Sequence, residues 1–145
     1  IPAPVWKQAR EQARAEEGPR APAGIEGSDR DGRMIEAAAE NARAAGVSRM
    51  VRLRRAPFEK LAPDGDFGCM VCNPPYGVRQ GEQSEVDALY RAMGVLFRGL
   101  PTWSLFALSA REDFQKLFGA RASRNRKLYN GNVRCWYYQY FGPLP

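Results

Sequence analysis

Residues 67–77 read Phe-Gly-Cys-Met-Val-Cys-Asn-Pro-Pro-Tyr-Gly, a short apolar run followed at once by two prolines. The run has the length and composition of a buried β-strand, which the prolines cannot continue. In an open α/β sheet, ligands bind at the carboxyl ends of the strands, and the loop 73–77 is expected at such an end. We therefore predict that this loop is the functional centre of the chain.

Helix-like and strand-like patterns alternate on both sides of this stretch. The predicted elements are a helix at 4–16, a strand at 25–28, a helix from Asp31 to Gly46, strands at 50–53 and 68–72, a helix opened by a capping box at Ser84 and Asp87 and ended by Gly99, a strand at 104–108, a helix opened by Ser109 and Glu112, and a hairpin of 126–129 and 134–141 around Asn130-Gly131. This alternation predicts an α/β fold with a mostly parallel sheet and a C-terminal antiparallel hairpin.

The composition narrows the function classes. The chain has 145 residues, a net charge of +6 and a pI near 9.5, which suits either an anionic partner such as nucleic acid or merely a basic surface. The absence of histidine excludes His-based triads and the common zinc centres. We see no membrane-length apolar run or signal peptide, and three cysteines favour a reducing cytoplasm. Cys69 and Cys72 form an isolated C-x-x-C that we interpret as core thiols.

The loop Asn73–Tyr76 suits the chemistry of a nucleobase amine, and we take its four residues as the catalytic candidates: Asn73, Pro74, Pro75 and Tyr76. Two prolines remove two backbone donors and leave the local carbonyls free to accept. An exocyclic amine is a poor nucleophile, and the Asn73 side-chain oxygen and the Pro74 carbonyl can hold its two N–H groups. Tyr76 can stack on an extruded base. The less favoured interpretation is a proline-rich loop that only ends a strand.

The Asn-Pro-Pro-Tyr sequence resembles the signature of class I methyltransferases that act on exocyclic amines of DNA, RNA or glutamine. More narrowly, the chain resembles the large-subunit rRNA guanine-N2 methyltransferases, which usually carry an N-terminal THUMP domain and are often labelled DNA adenine-N6 methylases. The resemblance implies S-adenosylmethionine as cofactor and RNA, in particular large-subunit rRNA, as partner. The blocks that carry it are Pro2–Trp6, Gly27–Asp31, Glu40–Ala42, Asn73–Gly77, Thr102–Ser104, Arg126–Gly131 and Tyr137–Gly142.

The resemblance also implies cofactor-binding residues. Asp29, with Arg30 beside it, follows the family's second strand, where an acid accepts hydrogen bonds from the cofactor ribose. Asp29 can also be interpreted as a helix cap, although Asp31 is better placed for capping. The loop at Ala56, Pro57 and Phe58 is expected to border the cofactor adenine, without the aspartate that many class I enzymes have there. Asn73 is expected to contact the cofactor as well.

The candidate substrate-binding residues are Tyr76, Arg79, Arg124, Arg126 and Lys127. The basic stretch from Arg121 to Lys127 is either a solvated loop or a phosphate-contacting surface, and the sequence favours neither. The aromatic set from Trp136 to Phe141 is expected on an edge strand, mostly in sheet packing.

The resembling family has the strand order 3-2-1-4-5-7-6, in which a Gly-rich cofactor loop follows strand 1. No Asp/Glu-x-Gly-x-Gly pattern precedes Asp29. We therefore expect residues 1–145 to be a partial Rossmann-like methyltransferase domain, without strand 1 or the THUMP domain and inactive alone. A second copy or a further segment would then complete the split sheet. Alternative functions are a DNA adenine-N6 methyltransferase and a non-catalytic RNA-binding remnant.

Overall fold

The computed structural model describes residues 2–16, 24–77 and 83–144. The chain divides into two units, Ile1–Arg55 and Ala56–Pro145, each with a sheet of its own. No helix among the described residues is both long and apolar enough to cross a lipid bilayer.

The first unit contains two helices and a two-stranded parallel sheet. Its elements are α1 (Ala3–Ala15), β1 (Ile25–Asp29), α2 (Gly32–Ala44) and β2 (Val51–Arg55). A proline lies in the first turn of α1, where the missing N–H has no helical partner to lose. Helix α2 connects the two parallel strands, which need such a crossover. The predicted order of these four elements is confirmed.

Helix α2 begins and ends at the residues that the sequence indicates. Asp31 is its N-cap, and the Asp31 carboxylate accepts a hydrogen bond of 3.0 Å from the Arg33 backbone N–H. After the last turn, Gly46 has a φ of +75°, which glycine adopts without the steric cost that a Cβ would bring. Both predictions are confirmed because capping depends on residues within one turn of each other.

The second unit contains a mixed four-stranded sheet with two helices. After a 3₁₀ helix at Phe58–Lys60 come β3 (Cys69–Cys72), α3 (Gln83–Arg98), β4 (Ser104–Ser109), α4 (Phe114–Phe118), β5 (Arg124–Asn130) and β6 (Val133–Tyr140). The strand order is β3-β4-β6-β5, with β3 parallel to β4 and β6 antiparallel to both of its neighbours. The predicted α/β class with a C-terminal antiparallel hairpin is confirmed.

The strand orders of the two sheets agree with the order that the resemblance implies. Removing strand 1 from the family order leaves a pair of strands and a group of four. Among the described strands, β1 pairs with β2, and β3, β4, β6 and β5 form the group of four in that order. The strand order within each of the two sheets therefore agrees with the family order.

The core of the second unit lies between its sheet and the helices α3 and α4. Phe114 of α4 stacks on Tyr138 of β6 with 4.9 Å between ring centroids. Burial of one such aromatic side chain contributes roughly 1.5–3 kcal/mol. Gly94 of α3 lies against the backbone carbonyl of Phe118, where a Cβ would not fit, so the two helices approach closely. The buried apolar side chains of this core are Val86, Tyr90, Met93, Leu105, Ala107, Phe114, Phe118, Tyr138 and Tyr140.

Strand β3 is less buried than its sequence predicts. Met70 and Cys72 pack against the core, whereas Cys69 is exposed and Val71 is 74% exposed. Alternate side chains of a strand point to opposite faces, and the core formed with α3 and α4 covers the face that carries Met70 and Cys72. The prediction of a buried strand is therefore wrong for Cys69 and Val71.

Strand β6 is a central strand, so the prediction that its aromatic residues lie on an edge strand is wrong. It pairs with β4 on one side and with β5 on the other, which makes β5 the edge. The expected packing role holds for Tyr138 and Tyr140, which are 2% and 4% exposed, and not for Phe141, which is 53% exposed. A hairpin pattern predicts pairing between its own strands but not which of them joins the rest of the sheet.

Two predicted capping boxes are also wrong. Ser84 lies inside α3, which begins at Gln83, and Ser109 is the last residue of β4. Helix α4 begins later, after Asp113, whose side chain makes no capping hydrogen bond. The Ser109 hydroxyl is fully buried, accepts a local bond from the Arg111 N–H and shares a bond with a tyrosine of α3, so it does not cap α4.

Candidate functional site

The loop Asn73–Gly77 follows β3 directly and lies at the carboxyl end of the parallel pair β3 and β4. Asn73 and Pro75 are exposed, whereas Pro74 is buried. Gly77 has a φ of +68°, which is compatible with the sharp exit expected there. The structure thus positions the loop where open α/β sheets bind ligands, as the sequence predicts.

Within this loop, the Tyr76 hydroxyl donates a hydrogen bond of 2.7 Å to the Asn73 side-chain oxygen. The Cys135 thiol, at the start of β6, lies 3.7 Å from the Tyr76 oxygen and donates to it. Burial raises the pKa of Tyr76, so the phenol stays protonated at neutral pH. The Asn73 oxygen keeps a second lone pair, which remains able to accept another N–H.

The Pro75 carbonyl is held from inside the protein. Tyr90 of α3 is fully buried, and its hydroxyl donates a hydrogen bond of 2.8 Å to that carbonyl. The same hydroxyl lies 2.9 Å from the Ser109 hydroxyl at the end of β4. Burial raises the pKa of Tyr90, which keeps this hydroxyl a donor. This contact occupies the Pro75 carbonyl and leaves the Pro74 carbonyl able to accept a hydrogen bond from a ligand.

Three residues of this arrangement were not identified from the sequence: Tyr90, Ser109 and Cys135. Tyr90 stands on the apolar face of a predicted helix, and a buried tyrosine usually needs a hydrogen-bond partner, which is a weak signal of such a contact. The other two carry no comparable signal, because Ser109 fits a capping pattern and Cys135 lies 59 residues from Tyr76.

Asp29 is the last residue of β1, in the first unit. One of its carboxylate oxygens accepts a hydrogen bond of 2.8 Å from the backbone N–H of Asp31. Asp31, rather than Asp29, caps α2, and Arg33 lowers the pKa of Asp31 through hydrogen bonds to its carboxylate. Asp29 is thus held at the carboxyl end of a strand by one oxygen, in a geometry that leaves its other oxygen for a ligand hydroxyl.

The other proposed cofactor residues are Arg30, which follows β1, and Ala56, Pro57 and Phe58, which follow β2. The Arg30 carbonyl accepts a hydrogen bond of 3.1 Å from the Arg55 side chain, within the first unit. Ala56 and Pro57 are half-buried at the start of the second unit, and Phe58 packs against the core of that unit. Phe58 therefore has a packing role, in addition to the cofactor contact that the resemblance implies.

The basic candidates lie on a strand rather than on a loop. Arg124, Arg126 and Lys127 belong to the edge strand β5 and are exposed. Alternation along the strand directs the two arginines to one face and Lys127 to the other. The Lys127 ammonium lies over the Tyr129 ring, 5.6 Å from its centroid. Arg79 lies outside the described residues.

The C-x-x-C pair does not form a chelating site. Residues three apart in a strand point to opposite faces, and among the described residues no cluster of metal-ligating side chains occurs. Burial raises the pKa of Cys72 to about 12, whereas Cys69 is exposed. The prediction of a core thiol is thus confirmed for Cys72 and is wrong for Cys69.

Two bacterial proteins are similar to this chain over most of its length. YpsC of Bacillus subtilis (strain 168) is 36% identical over 140 residues, covering 97% of this chain and 36% of that protein. The ribosomal RNA large subunit methyltransferase K/L of Legionella pneumophila (strain Corby) is 35% identical over 135 residues, covering 92% of this chain and 19% of that protein. The chain thus spans about a third or less of these relatives.

Solved structures with similar folds include SMU.472, crystallised in complex with SAH. It is 35% identical, with a TM-score of 0.86, and the match covers 100% of this chain and 38% of that one. A structure from Listeria monocytogenes str. 4b F2365, described as a predicted N6-adenine-specific DNA methylase, is 37% identical with a TM-score of 0.83, covering 98% of this chain and 36% of that one.

The model of one protein family matches nearly the whole chain, over residues 3–139. The match includes β1 with Asp29, the loop Asn73–Gly77 and the hairpin strands β5 and β6 up to Gln139. It therefore spans both units and every described candidate residue. The chain belongs to the UPF0020 family, described as the RMKL-like methyltransferase domain.

Proposed function

We propose that this chain carries the amine-binding part of an S-adenosylmethionine-dependent methyltransferase that modifies the exocyclic N2 amine of a guanine in RNA. The observation that carries the proposal is the arrangement of Asn73–Tyr76. An asparagine oxygen with a free lone pair, an adjacent proline carbonyl and an aromatic ring meet at the carboxyl end of a parallel strand pair. S-adenosylmethionine supplies an electrophilic methyl group to the amine when it is bound.

The chain's own residues prepare the amine. The Asn73 oxygen and the Pro74 carbonyl accept one N–H each, which orients the nitrogen and draws its lone pair away from the ring. The Tyr76 ring stacks on a base taken out of its helix. The hydrogen bonds from Tyr76 to Asn73 and from Cys135 to Tyr76 hold both side chains in place before the substrate arrives. Such preorganisation favours the transition state because little rearrangement is left for that step.

The chemistry of the proposed cofactor residues suits S-adenosylmethionine. Asp29 ends β1 and is oriented by its hydrogen bond from the Asp31 backbone, which fits a carboxylate that accepts a ribose hydroxyl. Arg30 adjoins it. We assign the neighbourhood of the cofactor adenine to Ala56, Pro57 and the exposed part of Phe58, and we keep Asn73 as a residue that contacts both cofactor and substrate.

We propose RNA, and large-subunit rRNA in particular, as the partner. Relatives named ribosomal RNA large subunit methyltransferase K/L support this choice. The exposed edge strand β5 supports it as well, because Arg124, Arg126 and Lys127 offer positive charge for phosphates and Tyr129 offers a stacking surface. We include Arg79 on the strength of its position after the loop in the sequence.

We also propose that the complete methyltransferase domain contains a further parallel strand with a Gly-rich loop. Strand β3 has one described partner, β4, and strand β1 has one described partner, β2. Each of these strands therefore has an edge that a further parallel strand can use. Without that loop, we expect no useful affinity for the cofactor in this chain alone.

The alternative is a DNA adenine-N6 methyltransferase, which the relative from Listeria monocytogenes favours by its description. Both reactions need the same two acceptors for an amine. The blocks outside the loop, such as Arg126–Gly131, resemble the rRNA family, and we rank RNA first for that reason.

The test is a methyl-transfer assay with the protein as its gene encodes it. Isotope-labelled S-adenosylmethionine is incubated with rRNA or with DNA, and the products are digested to nucleosides for mass spectrometry. We expect labelled N2-methylguanosine from rRNA, and we expect the variant Asn73→Ala to form almost none. Label in N6-methyladenine of DNA would establish the alternative, and no transfer to either would contradict both enzyme proposals and favour the non-catalytic RNA-binding remnant.

A further inference from the structure

The catalytic loop is connected to the core by a directed chain of hydrogen bonds. The Arg111 backbone N–H donates to the Ser109 hydroxyl oxygen at 3.1 Å. Ser109 and Tyr90 share a hydrogen bond of 2.9 Å, and Tyr90 donates to the Pro75 carbonyl at 2.8 Å. All three contacts have good hydrogen-bonding distances.

The direction of each bond follows from counting hydrogens. A carbonyl only accepts, so the single hydroxyl hydrogen of Tyr90 goes to Pro75. The bond between Tyr90 and Ser109 must then use the hydrogen of Ser109. That hydrogen is not needed for the contact with Arg111, because there the Arg111 N–H is the donor and the Ser109 oxygen accepts. Each hydroxyl thus accepts one bond and donates one, and such chains polarise and strengthen their members.

The loop is stiff enough for a single anchor to orient it. The rings of Pro74 and Pro75 fix both φ angles. Asn73 and Pro74 each precede a proline, which restricts their ψ angles to extended values. The main motion left to the segment is rotation or displacement as a rigid piece, and the bond from Tyr90 to the Pro75 carbonyl restrains that motion. The direction of the neighbouring Pro74 carbonyl is set as a consequence.

We propose that Tyr90, supported by Ser109, is a positioning residue for methyl transfer: it orients the Asn73–Tyr76 loop by holding the Pro75 carbonyl. This inference rests on the proposed function, in which the Pro74 carbonyl and the Asn73 oxygen hold the amine. Tyr90 is fully buried and touches neither substrate nor cofactor, so it acts through the loop alone.

The test compares Tyr90→Phe with Tyr140→Phe in the protein as its gene encodes it. Tyr140 is an equally suitable buried tyrosine, 4% exposed, whose hydroxyl donates to the Ala120 carbonyl at 3.2 Å, away from the loop. Each variant removes one buried hydroxyl and its bond to a backbone carbonyl, and Tyr90→Phe in addition loses the bond from Ser109. A merely structural role of either hydroxyl would lower the melting temperature without a selective loss of kcat.

We expect Tyr90→Phe to lower kcat about tenfold or more and to leave KM for both substrates within about twofold, because small misplacements of reacting groups are costly. Tyr140→Phe should keep the wild-type kcat. Ser109→Ala should lower kcat in the same way, and the double variant should lose little beyond Tyr90→Phe, since both residues act in one chain. A wild-type kcat in Tyr90→Phe, or an equal loss in Tyr140→Phe, would overturn the inference.

A second readout does not depend on activity. In triple-resonance NMR, the Tyr76 amide reports the carbonyl carbon of Pro75. We expect that carbon to move upfield in Tyr90→Phe and not in Tyr140→Phe, because it loses its hydrogen-bond donor. If the wild-type protein methylates no RNA, the proposed function fails, and this readout alone decides the anchor. An unchanged Pro75 carbon and Tyr76 amide would overturn it.

Discussion

The Tyr76 hydroxyl donates a hydrogen bond of 2.7 Å to the side-chain oxygen of Asn73. An amide nitrogen of asparagine cannot accept this bond, so the contact orients the Asn73 oxygen toward Tyr76. The same oxygen is the proposed acceptor for the substrate amine. The aromatic ring and the amine acceptor are therefore positioned by each other, and changes at the two residues should be separable by experiment.

Replacement of Asn73 by alanine should lower turnover about a hundredfold, because it removes an acceptor that acts mainly in the transition state. The affinity for S-adenosylmethionine should change far less. Single-turnover kinetics measures the first quantity and calorimetry the second. Near-normal turnover in Asn73→Ala would contradict the proposed role of this residue.

Replacement of Tyr76 by phenylalanine and by alanine should lower the rate of methyl transfer to different extents. Tyr76→Phe keeps the ring and loses only the hydroxyl's bonds with Asn73 and Cys135, so we expect a loss of kcat well below tenfold. Tyr76→Ala also loses the stacking surface, which should lower kcat/KM for RNA by about tenfold more. Steady-state kinetics on both variants tests this, and equal losses would argue against stacking.

Alanine variants of Asp29 and Asp31 should distinguish a role in cofactor binding from a role in helix capping. Asp29→Ala should weaken S-adenosylmethionine binding and leave RNA affinity nearly unchanged, since the proposed contact is with the ribose. Asp31→Ala removes the N-cap of α2 and should lower the melting temperature without the same loss of cofactor affinity. Calorimetry and thermal unfolding measure the two effects. A loss of cofactor affinity confined to Asp31→Ala would reverse these roles.

The basic edge strand β5 should contribute to RNA binding through phosphates. Removing the charge of Arg126 should weaken binding similarly for different RNA sequences and reduce the slope of log K against log salt by about 0.7–1. Binding titrations at several salt concentrations measure the slope. Arg43→Ala, an exposed arginine in α2, is the control and should leave the slope unchanged. An unaltered slope in Arg126→Ala would favour the interpretation of a merely solvated charge.

Cys69 and Cys72 should differ in reactivity toward iodoacetamide. Burial raises the pKa of Cys72 to about 12 because it disfavours the thiolate, so Cys72 remains a protonated thiol until strongly alkaline pH. Cys69 is exposed and should be alkylated first at about pH 8. Peptide mass spectrometry over time measures the order. Rapid and equal modification of both residues would contradict the burial of Cys72.

The Cys72 thiol should also make the stability of the folded protein depend on pH. Its pKa in the folded state is above that of an unfolded cysteine, 9.0, so its contribution to stability is complete below about pH 9 and is lost as pH rises toward about 12. Unfolding measurements on the wild-type protein and Cys72→Ala check the sign, and the difference between the two should shrink with rising pH across that window.

Much of the fold was predictable because it depends on neighbouring residues. Helical and strand periods, the cap at Asp31, the turn at Asn130-Gly131 and the proline pair after β3 are local features, and the structure has elements at each of these places. The position of the loop Asn73–Gly77 was predictable for the same reason: its residues are consecutive, and they follow an apolar strand directly.

Other features were decided by the tertiary structure alone. The central position of β6, the exposure of Val71 and the bonds from Tyr90 to Pro75 and from Cys135 to Tyr76 join residues far apart in the chain. A local pattern does not contain the register of strands or the packing of a helix on a sheet. The sequence determined which residues could do the chemistry, and the packing of α3, β4 and β6 decided how they are held, because a buried hydroxyl takes whichever partner the fold brings within reach.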